Sequence, residues 1–175
     1  MKLEGFVRKA IRAAAIVAGA PMLVAIAGCS SMPFAKKGGG PPPAVLTMTA
    51  TSSLNNCGRA VPLVLHYRML QLSDTQPLAG MKLDQLYDHE SEMLGGALVW
   101  RGPDLVIEPG ARKSEAPVPV VPGAKAIVVL ANFCRTRGSC FTYVFDLANA
   151  TGKEYKKHIA LDLTADSTCI GPTPH

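Results

Sequence analysis

Two segments near the start of the predicted folded region alternate between apolar and polar positions with the period of a β-strand. The first, residues 45–51, is rich in β-forming residues. The second, residues 63–72, places four apolar side chains on one face: Leu63, Leu65, Tyr67 and Met69. His66 and Arg68 point the other way. This alternation, with a polar far face, favours an antiparallel sheet over a buried parallel one.

After the second strand, the apolar spacing of residues 81–94 changes to that of one or two short helices. We expect four acidic side chains of this segment to face water: Asp84, Asp88, Glu90 and Glu92. Strand signals return in five segments: residues 97–100, 105–108, 124–133, 141–147 and 156–163. Residues 118–122 are interrupted by proline and are expected to form a loop or an edge. The chain is therefore predicted to be mainly β: an antiparallel β-sandwich of about seven or eight strands with a short helical insertion after the second strand.

The N-terminus has the order of a secretory signal: a basic start, an uncharged apolar run of about 15 residues and small residues at its end. A spanning helix needs roughly 20 apolar residues, so this run is short for one. Residues 26–29 read Ile-Ala-Gly-Cys, which resembles the lipobox of bacterial lipoproteins, where a lipid is attached to the cysteine sulfur. We therefore expect a signal peptide at residues 1–28 and a lipidated Cys29. Ser30 is typical of lipoproteins sorted to the outer membrane.

A tether is predicted to join Cys29 to the folded domain. Residues 30–43 read SSMPFAKKGGGPPP, in which glycines give flexibility and prolines hold the end extended. Fourteen residues reach at most roughly 45 Å. We therefore divide the chain into a signal peptide (1–28), a lipidated cysteine with its tether (29–43) and one β-sandwich domain (44–175).

Charge gives little reason to expect a nucleic-acid partner. The net charge of +5 comes mostly from the signal peptide, whose loss reduces 18 basic and 13 acidic residues to 14 and 12. Binding to nucleic acid usually needs a dense basic face, and this composition does not suggest one.

Four cysteines follow Cys29: Cys57, Cys134, Cys140 and Cys169. An even number in an exported chain predicts two disulfides, and four cysteines allow three pairings. Cys134 and Cys140 are close enough in sequence to close the end of a hairpin, and Cys57 would then bond to Cys169. A zinc site is the rival interpretation. It is disfavoured because there is no Cys-x-x-Cys and no histidine at ligand spacing.

The sequence shows no catalytic constellation. His89-Glu90 lacks the second histidine of a zinc-protease helix, since residue 93 is Met. No Gly-x-Ser-x-Gly is present. We therefore predict no catalytic residue, no metal and no cofactor.

Several short motifs follow one another in a characteristic order: Ala-x-x-x-Leu-Asn at residues 50–55, Gly-Arg-x-x-Pro at 58–62, residues 69–74, Leu-Tyr-Asp at 86–88, Leu-Gly at 94–95 and Pro-Gly at 109–110. Together with the lipobox, this order resembles the TssJ (SciN) family of type VI secretion outer-membrane lipoproteins. The similarity covers roughly residues 45–133. The chain departs from the family afterwards: its only tryptophan is Trp100, so the family's tryptophan-arginine ending is missing, and its four further cysteines are not a general family trait.

The resemblance implies a transthyretin-like β-sandwich with a scaffolding role. Members bind the periplasmic C-terminal domain of the inner-membrane protein TssM, which works with TssL in an envelope-spanning complex. The loop between the first two strands, here residues 52–61, carries this contact in the family. It points to four candidate residues: Asn55, Asn56, Gly58 and Arg59. Arginine can bind a carboxylate through two parallel hydrogen bonds. Arg135 and Arg137, on the cysteine-flanked segment, form a second candidate contact.

Two other functions compete with this hypothesis. One is an unrelated periplasmic binding module on a tether, such as a chaperone, an inhibitor or an adhesin-like sandwich. The other is a lipid-anchored hydrolase, which would need clustered polar side chains in a deep pocket.

Overall fold

The computed structural model describes residues 42–112, 114–150 and 159–174. The predicted signal peptide, Cys29 and almost all of the tether lie outside these residues. Strands within the described part of the chain are β1 (Ala44–Ala50), β2 (Leu65–Leu72), β3 (Leu98–Arg101), β4 (Leu105–Ile107), β5 (Ser114–Val118), β6 (Ala126–Asn132), β7 (Thr142–Asp146), β8 (Ile159–Ala165) and β9 (Ile170–Pro172). A helix, α1 (Leu83–Leu94), follows β2 after a single 3₁₀ turn at Gln76–Leu78.

The strands form two sheets, which confirms the predicted β-sandwich with a helix after the second strand. The first sheet has the order β5-β1-β8-β9. The second has the order β3-β2-β6-β7, and β4 also pairs with β2 beside β3. Buried apolar side chains of both sheets form the core between them, with Leu46, Met69, Val129 and Leu161 among its members.

One strand pair departs from the antiparallel arrangement that the alternation predicts. β1 and β8 run parallel, in register from Ala44 opposite Ile159 to Ala50 opposite Ala165. Parallel neighbours need a long connection, and here the whole second sheet and β5 lie between them in the chain. The alternation of β1 alone cannot reveal the direction of so distant a neighbour.

Two strands were not predicted as strands. β5 contains Pro117, and it takes the edge of the first sheet, where a missing backbone N–H is tolerated. The sequence predicts a loop or an edge strand at residues 118–122. The edge strand lies a few residues earlier in the chain, at Ser114–Val118. β9 has only three residues, which is too short for an alternation to be recognised.

β2 follows the predicted alternation in its first half and is buried on both faces in its second half. Residues 68–72 are all buried, although Arg68 and its outer-face neighbours were expected on a polar face. Helix α1 accounts for this difference, because it packs over the outer face of β2. Its buried residues Leu86, Glu90 and Leu94 recur every fourth position, on the two sides of a kink at His89.

Glu90 corrects the expectation that the acidic residues of this segment face water. It is 6% exposed, and it accepts a hydrogen bond of 2.7 Å from Nη1 of Arg68 and another from Nε of Arg101. The Arg68 guanidinium lies 3.9 Å above the ring of Tyr87 and forms an ion pair with Asp104. A buried guanidinium on β2 therefore needs the carboxylate that α1 supplies.

Candidate partner-binding surface

The β1–β2 loop (residues 51–64) is anchored from inside. Leu54 is fully buried in the core. The backbone N–H of Thr51 donates to the carbonyl of Ala165 at 2.9 Å, and that of Leu63 donates to the carbonyl of Leu54 at 3.1 Å. The chain reverses direction within this loop because Asn55, Cys57 and Gly58 adopt left-handed conformations, with φ of 45°, 57° and 73°. This conformation favours glycine and is tolerated best by asparagine among the other residues.

Asn55 has a different role from the one that its sequence context predicts. Its side chain is 6% exposed, donates to the carbonyl of Val64 at 2.9 Å and accepts from the backbone N–H of Cys134 at 2.9 Å. Its own N–H donates to the carbonyl of Asp166 at 3.2 Å. Both the nitrogen and the oxygen of the amide are therefore engaged inside the molecule, and Asn55 shapes the loop from within.

Asn56, Gly58 and Arg59 form the outer turn of the loop. The side-chain oxygen of Asn56 accepts from the N–H of Gly58 at 3.1 Å, and its carbonyl accepts from the N–H of Arg59 at 2.7 Å. Asn56 is half-buried, whereas Gly58 and Arg59 are exposed. Both oxygens of Asn56 therefore accept hydrogen bonds within the turn, whereas the Arg59 side chain is exposed to solvent.

The disulfides differ from the pairing that sequence proximity suggests. Cys57 bonds to Cys134, and Cys140 bonds to Cys169. β6 runs beside β2 and delivers Cys134 to the loop that precedes β2. The turn between β8 and β9 brings Cys169 to Cys140, where the N–H of Ile170 donates to the Cys140 carbonyl at 2.9 Å. The β6–β7 loop (residues 133–141) is thus held at its two ends by two different neighbours.

The two candidate contacts from the sequence lie against each other. A Cβ built on Gly58 would come within 2.6 Å of Nη1 of Arg135, so the guanidinium rests directly on this glycine. Gly58 is needed for this approach as well as for its positive φ. Arg137 is exposed in the same β6–β7 loop. None of the guanidinium groups of Arg59, Arg135 and Arg137 forms an ion pair with a carboxylate of the described residues.

The end of the β1–β2 loop also carries exposed apolar residues, which the sequence analysis did not predict. Val61, Leu63 and Val64 are 66%, 40% and 42% exposed. Leu63 was expected on the core face of β2, but the strand begins only at Leu65. The signal available was Pro62, which tends to hold its neighbours outside a central strand.

A groove lies beside the β6–β7 loop. Its volume is about 720 Å³, and it runs between the N-terminal half of α1 and the residues that follow β6. The buried side chains Leu86, Phe133 and Phe141 contribute to its lining. Asp84 and Asp88 of α1 also line it, as does Arg135 of the loop.

Comparison with known proteins decides the family. The model of the type VI secretion lipoprotein family, whose members include VasD, EvfM and TssJ, matches residues 42–166. The chain belongs to this family. The match includes the β1–β2 loop, α1 and the β6–β7 loop, so it extends beyond the region in which the short motifs were recognised. No curated protein matches the chain in sequence at a significant level.

Solved structures of the family share the fold. Type VI secretion lipoprotein TssJ1 from Pseudomonas aeruginosa superposes with a TM-score of 0.63 at 19% identity, covering 77% of this chain and 100% of that one. Serratia marcescens Lip, a membrane-bound component of the type VI secretion system, gives 0.61 at 16% identity, covering 78% and 99%. A chain of a type VI membrane complex gives 0.64 at 18% identity, covering 77% and 100%. At these identities the likeness establishes the fold.

Within the described residues, no helix is both long enough and apolar enough to cross a membrane.

Proposed function

We propose that this chain is the outer-membrane lipoprotein of a type VI secretion membrane complex. It binds the periplasmic C-terminal domain of TssM, with TssL in the same complex, and attaches the complex to the periplasmic face of the outer membrane through acyl chains on Cys29. Its role is that of a scaffold rather than an enzyme. Family membership supports this role, and the observation that carries it is the rigid β1–β2 loop with its exposed arginine.

The geometry of the loop supports a binding role. Leu54 and Asn55 are buried, so the loop keeps one shape before a partner arrives. A preformed loop loses little conformational entropy on association. Asn56, Gly58 and Arg59 are the predicted residues that remain at its outer turn, and Arg59 offers a charged fork that can bind a carboxylate.

The structural relatives add a second line of support. One similar chain belongs to a structure described as a type VI membrane complex. Another belongs to a structure described as the TssM C-terminal domain from EAEC, with a TM-score of 0.61 at 16% identity, covering 76% of this chain and 98% of that one. These descriptions concern those proteins, and we transfer the partner to this chain as part of the proposal.

The lipobox and the tether support the proposed anchor. Lipidation contributes roughly 0.8 kcal/mol of membrane affinity per buried methylene, so acyl chains on Cys29 would hold the protein on the membrane almost permanently. The tether then lets the sandwich stand away from the bilayer and reach a periplasmic partner.

Binding of the full mature chain to the periplasmic C-terminal domain of TssM from the same organism tests the partner. We expect saturable binding that Arg59→Glu weakens by on the order of 1–3 kcal/mol, because a charged hydrogen bond is lost. Lys125→Glu makes the same change of charge at the start of β6, far from the loop, and should bind nearly as wild type. An absence of binding by a folded wild-type chain would reject TssM as the partner. If Arg59→Glu and Lys125→Glu bind with equal affinity, the contact with the partner does not involve Arg59 and lies outside this loop.

A further inference from the structure

The Cys57–Cys134 disulfide and the contact between Gly58 and Arg135 join two loops that are 77 residues apart in the chain. We infer that they form one composite surface that takes an acidic partner segment with apolar side chains. This inference rests on the proposed function and deepens it. It makes the β6–β7 loop half of the binding site and assigns the partner a chemistry.

Charge is the first argument for an acidic partner. Arg59 extends from one loop, and Arg135 and Arg137 extend from the other; all three are exposed. Glu90 neutralises the buried Arg68, but no carboxylate of the described residues forms an ion pair with these three guanidinium groups. The nearby Asp166 already accepts the N–H groups of Thr168 and Cys169 at 2.7 and 2.8 Å. Three unpaired cations on one surface favour a negatively charged partner.

The second argument is the apolar edge of the same surface. Val61, Leu63 and Val64 follow the outer turn of the β1–β2 loop and are each at least 40% exposed. Exposed apolar side chains next to unpaired cations are typical of an interface in which arginines bind carboxylates and apolar groups exclude water around them.

The groove sets the direction in which an acidic segment can lie. Arg135 lines one side, whereas Asp84 and Asp88 are exposed on α1 and line the other. Like charges repel an acidic segment from α1 and steer it toward the arginines. The partner is therefore expected to cross the two loops rather than enter the groove along the helix.

Rigidity is the third argument. The β6–β7 loop has a disulfide at each end, to Cys57 and to Cys169. The backbone N–H of Cys134 also donates to the side chain of Asn55 at 2.9 Å. Arginines on such a constrained loop lose less entropy on binding than arginines on a flexible one.

The experiment uses the full mature chain in detergent and the periplasmic C-terminal domain of TssM from the same organism as the probe. Four variants are compared with wild type: Arg59→Glu, Arg135→Glu, Arg137→Glu and the control Lys125→Glu. We expect the Arg135 and Arg137 variants each to lose about tenfold or more in affinity, as Arg59→Glu does, because charged hydrogen bonds are removed. Wild-type affinity should also fall between about 50 and about 500 mM NaCl, because salt screens exposed charges.

Arg135→Gln guards against a folding defect, since it keeps a long polar side chain over Gly58 and removes only the charge. It should also weaken binding while keeping the thermal unfolding midpoint of wild type. If Arg59→Glu weakens binding but the Arg135 and Arg137 variants bind as Lys125→Glu does, the composite surface is wrong and the proposed function stands. If salt leaves the affinity unchanged, the acidic chemistry of the partner is wrong. If wild type does not bind at all, both the proposed partner and this surface are rejected.

Discussion

Asn55 shapes the β1–β2 loop from inside. Its amide links the loop to the start of β2 and to the residue after β6, through hydrogen bonds to Val64 and from Cys134. Its φ of 45° also lies in a region that most side chains avoid. Because the group is buried, its loss leaves a carbonyl and an N–H without partners.

Asn55→Ala should therefore lower the free energy of unfolding by about 2 kcal/mol or more, measured by urea denaturation of the oxidised chain. Asn56→Ala is the matched control, because it removes a single partly exposed turn hydrogen bond and should cost less than about 1 kcal/mol. Equal losses in the two variants would show that Asn55 has no special structural role.

Glu90 is the charged counterpart of Arg68 within the packing between α1 and the second sheet. Burial raises the pKa of this carboxyl, but the hydrogen bond from Arg101 and the charge of Arg68 outweigh that effect and hold the pKa below its ordinary value near 4.5. A carboxylate with a lowered folded-state pKa stabilises the protein above its unfolded-state pKa. That contribution is lost as the pH falls through the folded-state pKa.

Glu90→Gln should cost on the order of 3 kcal/mol near neutral pH, because it removes the buried one of the two carboxylates that pair with the Arg68 guanidinium. The difference from wild type should shrink as the pH falls below about 4.5, where Glu90 begins to protonate in the unfolded state. Glu92→Gln, on the exposed side of α1, should change stability by less than about 0.5 kcal/mol. Denaturation of the three chains between neutral and acidic pH provides the measurement. If the difference in unfolding free energy between wild type and Glu90→Gln does not change with pH, the ionised Glu90 carboxylate is not the partner that stabilises Arg68.

At the scale of elements, the two disulfides connect segments that the hydrogen bonds of the sheets leave separate. Cys57–Cys134 joins the β1–β2 loop to the end of β6 across 77 residues. Cys140–Cys169 joins the start of β7 to the β8–β9 turn across 29 residues. In the chain-entropy model, the longer loop loses more freedom in the unfolded state when it is closed.

Replacing Cys57 and Cys134 by serine should lower the free energy of unfolding by about 4.5 kcal/mol, and replacing Cys140 and Cys169 by about 3.5 kcal/mol. Urea denaturation of the two double variants and of wild type, all under oxidising conditions, measures both losses of unfolding free energy and shows which is larger. Mass spectrometry of peptides from the unreduced chain tests the pairing directly. A peptide linking Cys134 to Cys140 would refute it.

Local patterns predict the elements well, and long-range contacts account for what they miss. The period-two alternation locates β1 and β2, and a continuous apolar run locates β6, whose two faces are both buried. The same alternation cannot show that α1 covers the outer face around Arg68, since nothing local indicates which helix lies there. The predicted exposure of Glu90 is wrong for this reason. An acidic residue on a helix is usually solvated unless it pairs with a buried cation from a distant segment, as Glu90 does with Arg68.

The same distinction between local patterns and long-range contacts applies to the candidate site. The family resemblance points to Gly58 and Arg59 as candidates, and the structure places both at the exposed outer turn of the loop. The burial of Asn55 and the contact between Arg135 and Gly58 depend on β6 lying beside β2, so neither can be deduced from spacing. The cysteine pairing fails for the same reason: proximity in sequence favoured Cys134 with Cys140, whereas the sheets bring other partners together.

At the scale of the whole molecule, β1 connects the start of the described domain to the β1–β2 loop. The tether is followed directly by β1, which spans seven residues, or about 23 Å, before it reaches the β1–β2 loop. The first residue of β1 and the β1–β2 loop therefore lie at opposite ends of this strand.

Cys29→Ser should leave the signal peptide uncleaved by the lipoprotein pathway and remove the acyl chains. The domain is then expected to disappear from the outer-membrane fraction, which immunoblotting of separated membranes measures. Ser30→Asp keeps the lipid and should move the protein to the inner-membrane fraction. Unchanged fractionation of Cys29→Ser would refute the lipid anchor.

The pairing of β1 on both sides has a mechanical consequence. If the chain is anchored at Cys29 and bound through the β1–β2 loop as proposed, a pull between these two points would load β1 from end to end. β1 is hydrogen-bonded to β5 on one side and to β8 on the other, along five and seven paired positions. These bonds lie across the direction of pull, so force shears them together instead of peeling them open one at a time. The Cys57–Cys134 bond passes part of the same load to β6. With the proposed anchor and partner, the paired positions of β1 would together oppose tension between membrane and partner.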